Sequence, residues 1–276
     1  MKKIGSVAAH VLLIVGIYFG WIFTAYYFYM EYVYVDNAWF KRNTLMFINV
    51  NDIIGLPLFY LLMRYVFKKN LFQEARYRKI AKKPVLISLM VGLAAGLFTA
   101  AFSKLPFIIT NYPQFGKLFN YLNRADWYVF LVFLILGNIF KETLFRGLLL
   151  NQFRRVTPLA VAVTLQGIAY GCLFFYGKVS YTLYGFLGAV IFALLYVWFD
   201  SIWAAVLAQI ACQLSQYIIW NLHLPITNGY LLGGSMAAFT LVIGAGLYAA
   251  WRHSRSAASR GAGLGADQEG SMELVV

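Results

Sequence analysis

The chain has 276 residues, of which 62% are hydrophobic and 12% charged, and its mean hydropathy is +0.69. Soluble domains average about 45–50% apolar and about 25% charged residues, so soluble, disordered and disulfide-rich secreted classes are excluded. The net charge of +13 sits mostly in short segments between apolar runs, where it reads as a topology signal, not as a nucleic-acid footprint. The lipid bilayer is the first partner, and no nucleic acid is expected.

Apolar runs of about 20 residues cross a ~30 Å hydrocarbon layer as helices. Eight are read in chain order. They are Ile4 to Met30, Thr44 to Phe67, Pro84 to Phe102, Asp126 into the Phe140 to Leu150 region, Pro158 to Tyr176, Val179 to Phe199, Ile202 to Trp220 and Tyr230 to Trp251. The first exceeds the length of a signal-peptide core and no A-x-A site follows it, so it is expected to stay as a membrane helix. The fold class is all-α, a polytopic membrane bundle forming one domain over 1–253. Residues 254–276, rich in Ser, Gly and Ala, are expected to be a disordered cytoplasmic tail.

With the N-terminus inside, 17 of the 23 Lys and Arg fall on the cytoplasmic side. Lys41, Arg42, Lys104, Lys117, Arg124 and Lys178 remain outside. The bias predicts both termini in the cytoplasm and the plasma membrane as location. The segment Lys68 to Lys83 (KKNLFQEARYRKIAKK) suits an amphipathic helix on an anionic leaflet, or serves only as a topology determinant. Lys104 to Arg124 is expected to pack on the bilayer surface. Trp39, Tyr112, Trp127, Trp220 and Trp251 fall near span ends, as aromatic anchors do.

Ionisable residues inside a membrane are costly and are weighed one by one. In Lys141-Glu142-Thr143-Leu144-Phe145-Arg146-Gly147, Glu142 and Arg146 are spaced i and i+4, so they can form an ion pair on one helix face. That pair is either a carboxylate held beside a reactive centre or a neutralising salt bridge. Asp52, with Asn49 and Asn51, reads as interhelical glue or as a cavity lining. Asp200 reads as a solvated turn residue. Gln209 and Gln213, with Gln216 one turn on, form a polar stripe facing the bundle, which Gln166 can join. Amides orient ligands but do not act as bases near neutral pH. His10, His223 and His253 have no metal-ligand spacing, Cys172 and Cys212 read as packing residues, and no metal or cofactor is implied.

The order of three stretches resembles the CPBP family, the CAAX proteases and bacteriocin-processing enzymes also called Abi proteins. The first family signature, E-E-x-x-x-R-G, matches Lys141 to Gly147. The second, F-x-x-x-H, falls on Tyr170 to Phe174, and the third, H-x-x-x-N, on Gln209 to Gln213 after Ser201-Ile-Trp-Ala-Ala205. The resemblance covers about 126–220 and implies an eight-helix CPBP-like bundle. In that family, glutamates and histidines activate a water for peptide hydrolysis. Here Lys141 replaces the first Glu, Phe174 and Gln209 replace the histidines, and Gln213 replaces the Asn. Only Glu142, Arg146 and Gly147 remain.

This pattern predicts a non-catalytic scaffold or regulator that binds a membrane-embedded or cell-envelope protein. Its binding cavity would be lined by Lys141, Gln166, Tyr170, Phe174, Gln209 and Gln213. One alternative is an atypical intramembrane endopeptidase using Glu142, with Arg146 orienting it. Another is a small-molecule or lipid transporter, prompted by Asp52 and the glutamine stripe.

Overall fold

The computed structural model describes residues 2–175, 179–224, 226 and 228–272, with the backbone alone at 2, 175 and 257–272. Among the described residues, seven helices are long and apolar enough to cross a membrane: α1 (Lys3–Tyr34), α2 (Leu45–Val66), α3 (Lys82–Ser103), α4 (Trp127–Phe153), α6 (Val179–Phe199), α7 (Ile202–Asn221) and α8 (Gly229–Ser256). The backbone of α8 stays helical to Met272, and 273–276 lie outside the described residues. The predicted fifth span is α5 (Leu159–Phe175), whose 17 residues reach only about 25 Å at 1.5 Å per residue. Length therefore supports seven of the eight predicted spans.

Although short, α5 connects opposite ends of the bundle. It follows Arg155, which is paired with Glu74, and leads to α6, whose Ser180 accepts a hydrogen bond from Gln114 in the α3–α4 connection. The start of α1 and the end of α8 share the first of these ends, with His10 against Phe67 and Phe199 against His253.

The centre of the bundle is α4. Two thirds of its most apolar stretch is buried, against 11% for α8, and every residue from Phe140 to Gln152 is buried. It is also irregular. Wider π-helical turns at Phe133–Gly137 and Thr143–Leu150 flank a short α-helical stretch, Asn138–Glu142, an irregularity often found at functional positions.

Small residues set the closest helix contact. Gly92 and Gly96, a G-x-x-x-G pair on α3, lie flat against α7. A Cβ on Gly92 would come 2.0 Å from the Ala208 carbonyl oxygen, and one on Gly96 would come 2.0 Å from Ser215 Oγ. Lipid tails are as apolar as the side chains, so membrane helices associate through such close packing, without a hydrophobic drive.

The basic segment between α2 and α3 is not a helix on the bilayer. Only Leu71–Glu74 is helical, and the rest is strapped across the bundle end. Ile202 N donates to Arg76 O at 3.0 Å and Ser201 Oγ to Arg78 O at 2.6 Å. Asp200 is likewise no free turn residue, because it pairs with both Arg76 and Arg78. At the far end, the α3–α4 connection forms helices Pro106–Asn111 and Gln114–Asn123. The buried side of the second packs on protein, with Phe115 against Tyr181 and Phe119 against Trp220.

Candidate functional site

The expected ion pair forms. Glu142 Oε1 accepts from Arg146 Nη1 at 3.0 Å, and both side chains are wholly buried. Arg146 Nη2 donates to Ala189 O on α6 at 3.1 Å. Its guanidinium carbon lies 5.2 Å from the Tyr170 ring centre and 5.7 Å from that of Phe192. The cation is thus held by one carboxylate, one carbonyl and two aromatic rings, a set that offsets part of its desolvation. Among the described residues, Glu142 Oε2 and Arg146 Nε have no hydrogen-bond partner.

The other residues singled out in the sequence gather around this pair. From α7, Gln209 donates to the Tyr170 hydroxyl at 3.4 Å, while its carbonyl oxygen has no partner. Gln166 on α5 is fully buried with both amide atoms unpartnered. Phe174 packs on Tyr170, Phe145 and Tyr18. Lys141 is buried on α4, with its ammonium 4.6 Å from the Phe133 ring centre. Gln213 is half-buried and accepts from Asn138 Nδ2 at 2.8 Å. The glutamine stripe divides between helices, since Gln216 donates to Tyr184 on α6.

Three more residues join this layer: Asn138 and Tyr77, which sequence reasoning missed, and Asp52, which reads there as interhelical glue or a cavity lining. Asn138 precedes Glu142 by four residues, and that local spacing was the available signal; it links α4 to α7. Asp52 of α2 sits against α4, where a Cβ on Gly137 would lie 3.1 Å from its Oδ2. Its Oδ1 accepts from Asn51 at 3.1 Å and its Oδ2 has no partner. The third is Tyr77 on the α2–α3 strap, whose hydroxyl lies 2.6 Å from Thr143 Oγ1, beside Glu142. Burial holds the Tyr77 phenol above its ordinary pKa, so it remains protonated.

Gly147 completes the motif for a steric reason. A Cβ there would come 2.5 Å from the Ala75 Cβ, so a glycine lets the strap seat on α4. Asn151, one turn further, fixes the same contact by donating to Glu74 O at 2.8 Å and to the Tyr196 hydroxyl at 2.7 Å.

Chemically, the site offers two buried carboxylates, Glu142 and Asp52, two cations, Lys141 and Arg146, amides and aromatic rings. Among the described residues, no three His, Cys, Asp or Glu side chains group as metal ligands.

Comparison with known proteins finds one similarity, and it falls on this layer. No curated protein and no solved structure matches the chain. Residues 123–215 match the family model for Type II CAAX prenyl endopeptidase Rce1-like proteins, a stretch that carries α4, α5, α6 and most of α7. The protein is a multi-pass membrane protein, all-helical among the described residues, and its residues 123–215 are similar to the Rce1-like family.

Proposed function

We propose that this protein is a non-catalytic relative of the CAAX-type intramembrane proteases. It acts as a scaffold or regulator that holds a membrane-embedded or cell-envelope protein against α4, α5 and α7. One observation carries the reading: Glu142, the carboxylate kept from the family signature, is buried in a contact pair with Arg146. The guanidinium at 3.0 Å occupies one carboxylate oxygen, and the complete burial of both side chains shuts the group off from bulk water. Activating water needs a base and a route for its proton. The residues at the remaining signature positions are Lys141, Phe174, Gln209 and Gln213, and the phenyl ring and the two amides standing in for the family's His and Asn side chains carry no titratable group for that route. Half-buried Gln213 and Phe174 are then contacts for a partner helix. The plasma membrane, with both termini in the cytoplasm, is the location that the charge bias supports.

The test is co-purification of the tagged full chain in mild detergent, as wild type and as Gln213→Leu. The reading expects a stoichiometric membrane protein with wild type and its loss with the variant. Retention of no partner in any detergent counts against it.

A second reading rests on Glu142 Oε2, which is unpartnered and is where an attacking water would be held in an atypical endopeptidase. Cleavage of the retained partner by wild type but not by Glu142→Gln would favour it.

A further inference from the structure

The strap between α2 and α3 holds more positive charge than its contacts use. Residues 64–83 contain Arg64, Lys68, Lys69, Arg76, Arg78, Lys79, Lys82 and Lys83 against one acid, Glu74. Asp200 takes Arg76 and Arg78, and Glu74 takes Lys69 and Arg155. Lys68, Lys79, Lys82 and Lys83 are exposed and, among the described residues, have no carboxylate within 4.0 Å. The positive-inside rule accounts for the number of these charges but not for the shape of the surface that carries them.

That shape is an open cleft of about 510 Å³ lined by Asn70, Phe72, Gln73, Tyr77 and Arg78. Its polar donors are distinct. Asn70 uses its carbonyl oxygen to cap Phe72 N and Gln73 N, which leaves its amide N–H groups free to donate. Gln73 is exposed. Arg78 gives one guanidinium nitrogen to Asp200 and is otherwise open to solvent. The cleft lies between the end of α2 and the start of α3, at the membrane boundary. Beside it, Phe72 packs on Tyr60, and Tyr60, Tyr65, Val66 and Phe72 are all exposed. Basic and amide donors next to an exposed apolar edge match an acidic headgroup with its acyl chains alongside.

We propose that this cleft binds the phosphate of an acidic phospholipid, with Arg78, Gln73 and Asn70 contacting the headgroup and Lys79, Lys82 and Lys83 supplying attraction. The site does not depend on the reading of the Glu142 layer. It is nevertheless connected to that layer, because Tyr77 lines the cleft and bonds Thr143.

The experiment measures lipid retained by the full chain after release from nanodiscs of equimolar phosphatidylglycerol and phosphatidylcholine, read by native mass spectrometry. Wild type is expected to retain phosphatidylglycerol preferentially. Lys79→Gln/Lys82→Gln/Lys83→Gln is expected to lower that preference by at least about tenfold, since each basic residue near an anionic surface contributes several-fold. Gln73→Trp, which fills the cleft without changing charge, is expected to lower it as well. Lys3→Gln/Arg252→Gln/Arg255→Gln removes the same charge at the same end of the bundle and is expected to leave it intact. Equal retention of both lipids by wild type overturns the site. So does an equal loss in the distant-charge variant, which means bulk attraction alone. Displacement of the lipid by millimolar inorganic phosphate overturns the lipid assignment in favour of the free anion.

Discussion

Glu142 and Arg146 form an ion pair at 3.0 Å with both side chains wholly shut off from solvent. Breaking a buried pair by removing one partner costs about 3–5 kcal/mol, whereas replacing both with matched neutral groups is often near neutral. Arg146→Met is therefore expected to destabilise by about 3–5 kcal/mol. Glu142→Gln falls at the lower end, because its amide oxygen still accepts from the guanidinium. The double variant Glu142→Gln/Arg146→Met recovers part of the loss. Unfolding in mixed micelles measures all three, and additive losses would contradict the pairing.

Gly147 and Ala75 make a reciprocal steric test. Gly147→Ala places a Cβ 2.5 Å from that of Ala75, and overpacking of this kind costs about 1–3 kcal/mol. Ala75→Gly in the same chain opens the space again. The account expects the thermal midpoint to fall with Gly147→Ala and to rise back with Ala75→Gly/Gly147→Ala. An unchanged midpoint in the single variant would mean that the strap does not seat on α4.

The α3–α7 contact is less forgiving, since the atom facing Gly92 is backbone, not a side-chain tip. Gly92→Val would bring its Cβ to 2.0 Å from the Ala208 carbonyl oxygen, so the helices must separate. Gly16, with nothing within 4 Å of its Cβ position, is the control. Gly92→Val is expected to lower stability by at least about 1–3 kcal/mol and Gly16→Val by far less. Equal effects would show helix propensity, not packing, at work.

Asp126 gives a pH prediction outside the membrane. The Asn43 side-chain amide, followed by Tyr128 and Arg42, holds its carboxyl below the ordinary value. A carboxyl lowered in the folded state stabilises at pH values above its unfolded pKa, about 3.9, and loses that contribution as pH falls toward the folded one. Thermal midpoints measured from pH 7 to pH 3 are expected to fall in the acid range, with a shallower fall for Asp126→Asn. Identical profiles would remove Asp126 from the acid response.

Helical spacing made the Glu142–Arg146 pair legible, because i and i+4 contacts depend on one helix alone. The spans were legible for the same reason, each being a continuous apolar run. Gln209 and Gln213 were read as facing the bundle, yet which partners they meet depends on how α7 docks on α4 and α5. Asp52 lies against Gly137 only because α2 packs on α4, and Tyr77 reaches Thr143 only because the strap folds over the bundle end. The strap itself reads as an amphipathic helix, but its register is overridden by Asp200, Ser201 and Asn151 capturing its side chains and backbone. The G-x-x-x-G at Gly92 and Gly96 is a local signal, readable from spacing alone. The second π-helical stretch, Thr143–Leu150, has no such local signal.

The central claim is that the Glu142 layer holds a partner without cutting it. The most direct measurement is the intact mass of the membrane protein retained by full-length wild type, beside that retained by Glu142→Gln. The account predicts one mass, the full-length partner, in both samples. A partner shortened in the wild-type sample and whole in the Glu142→Gln sample would contradict it and make the site a working endopeptidase.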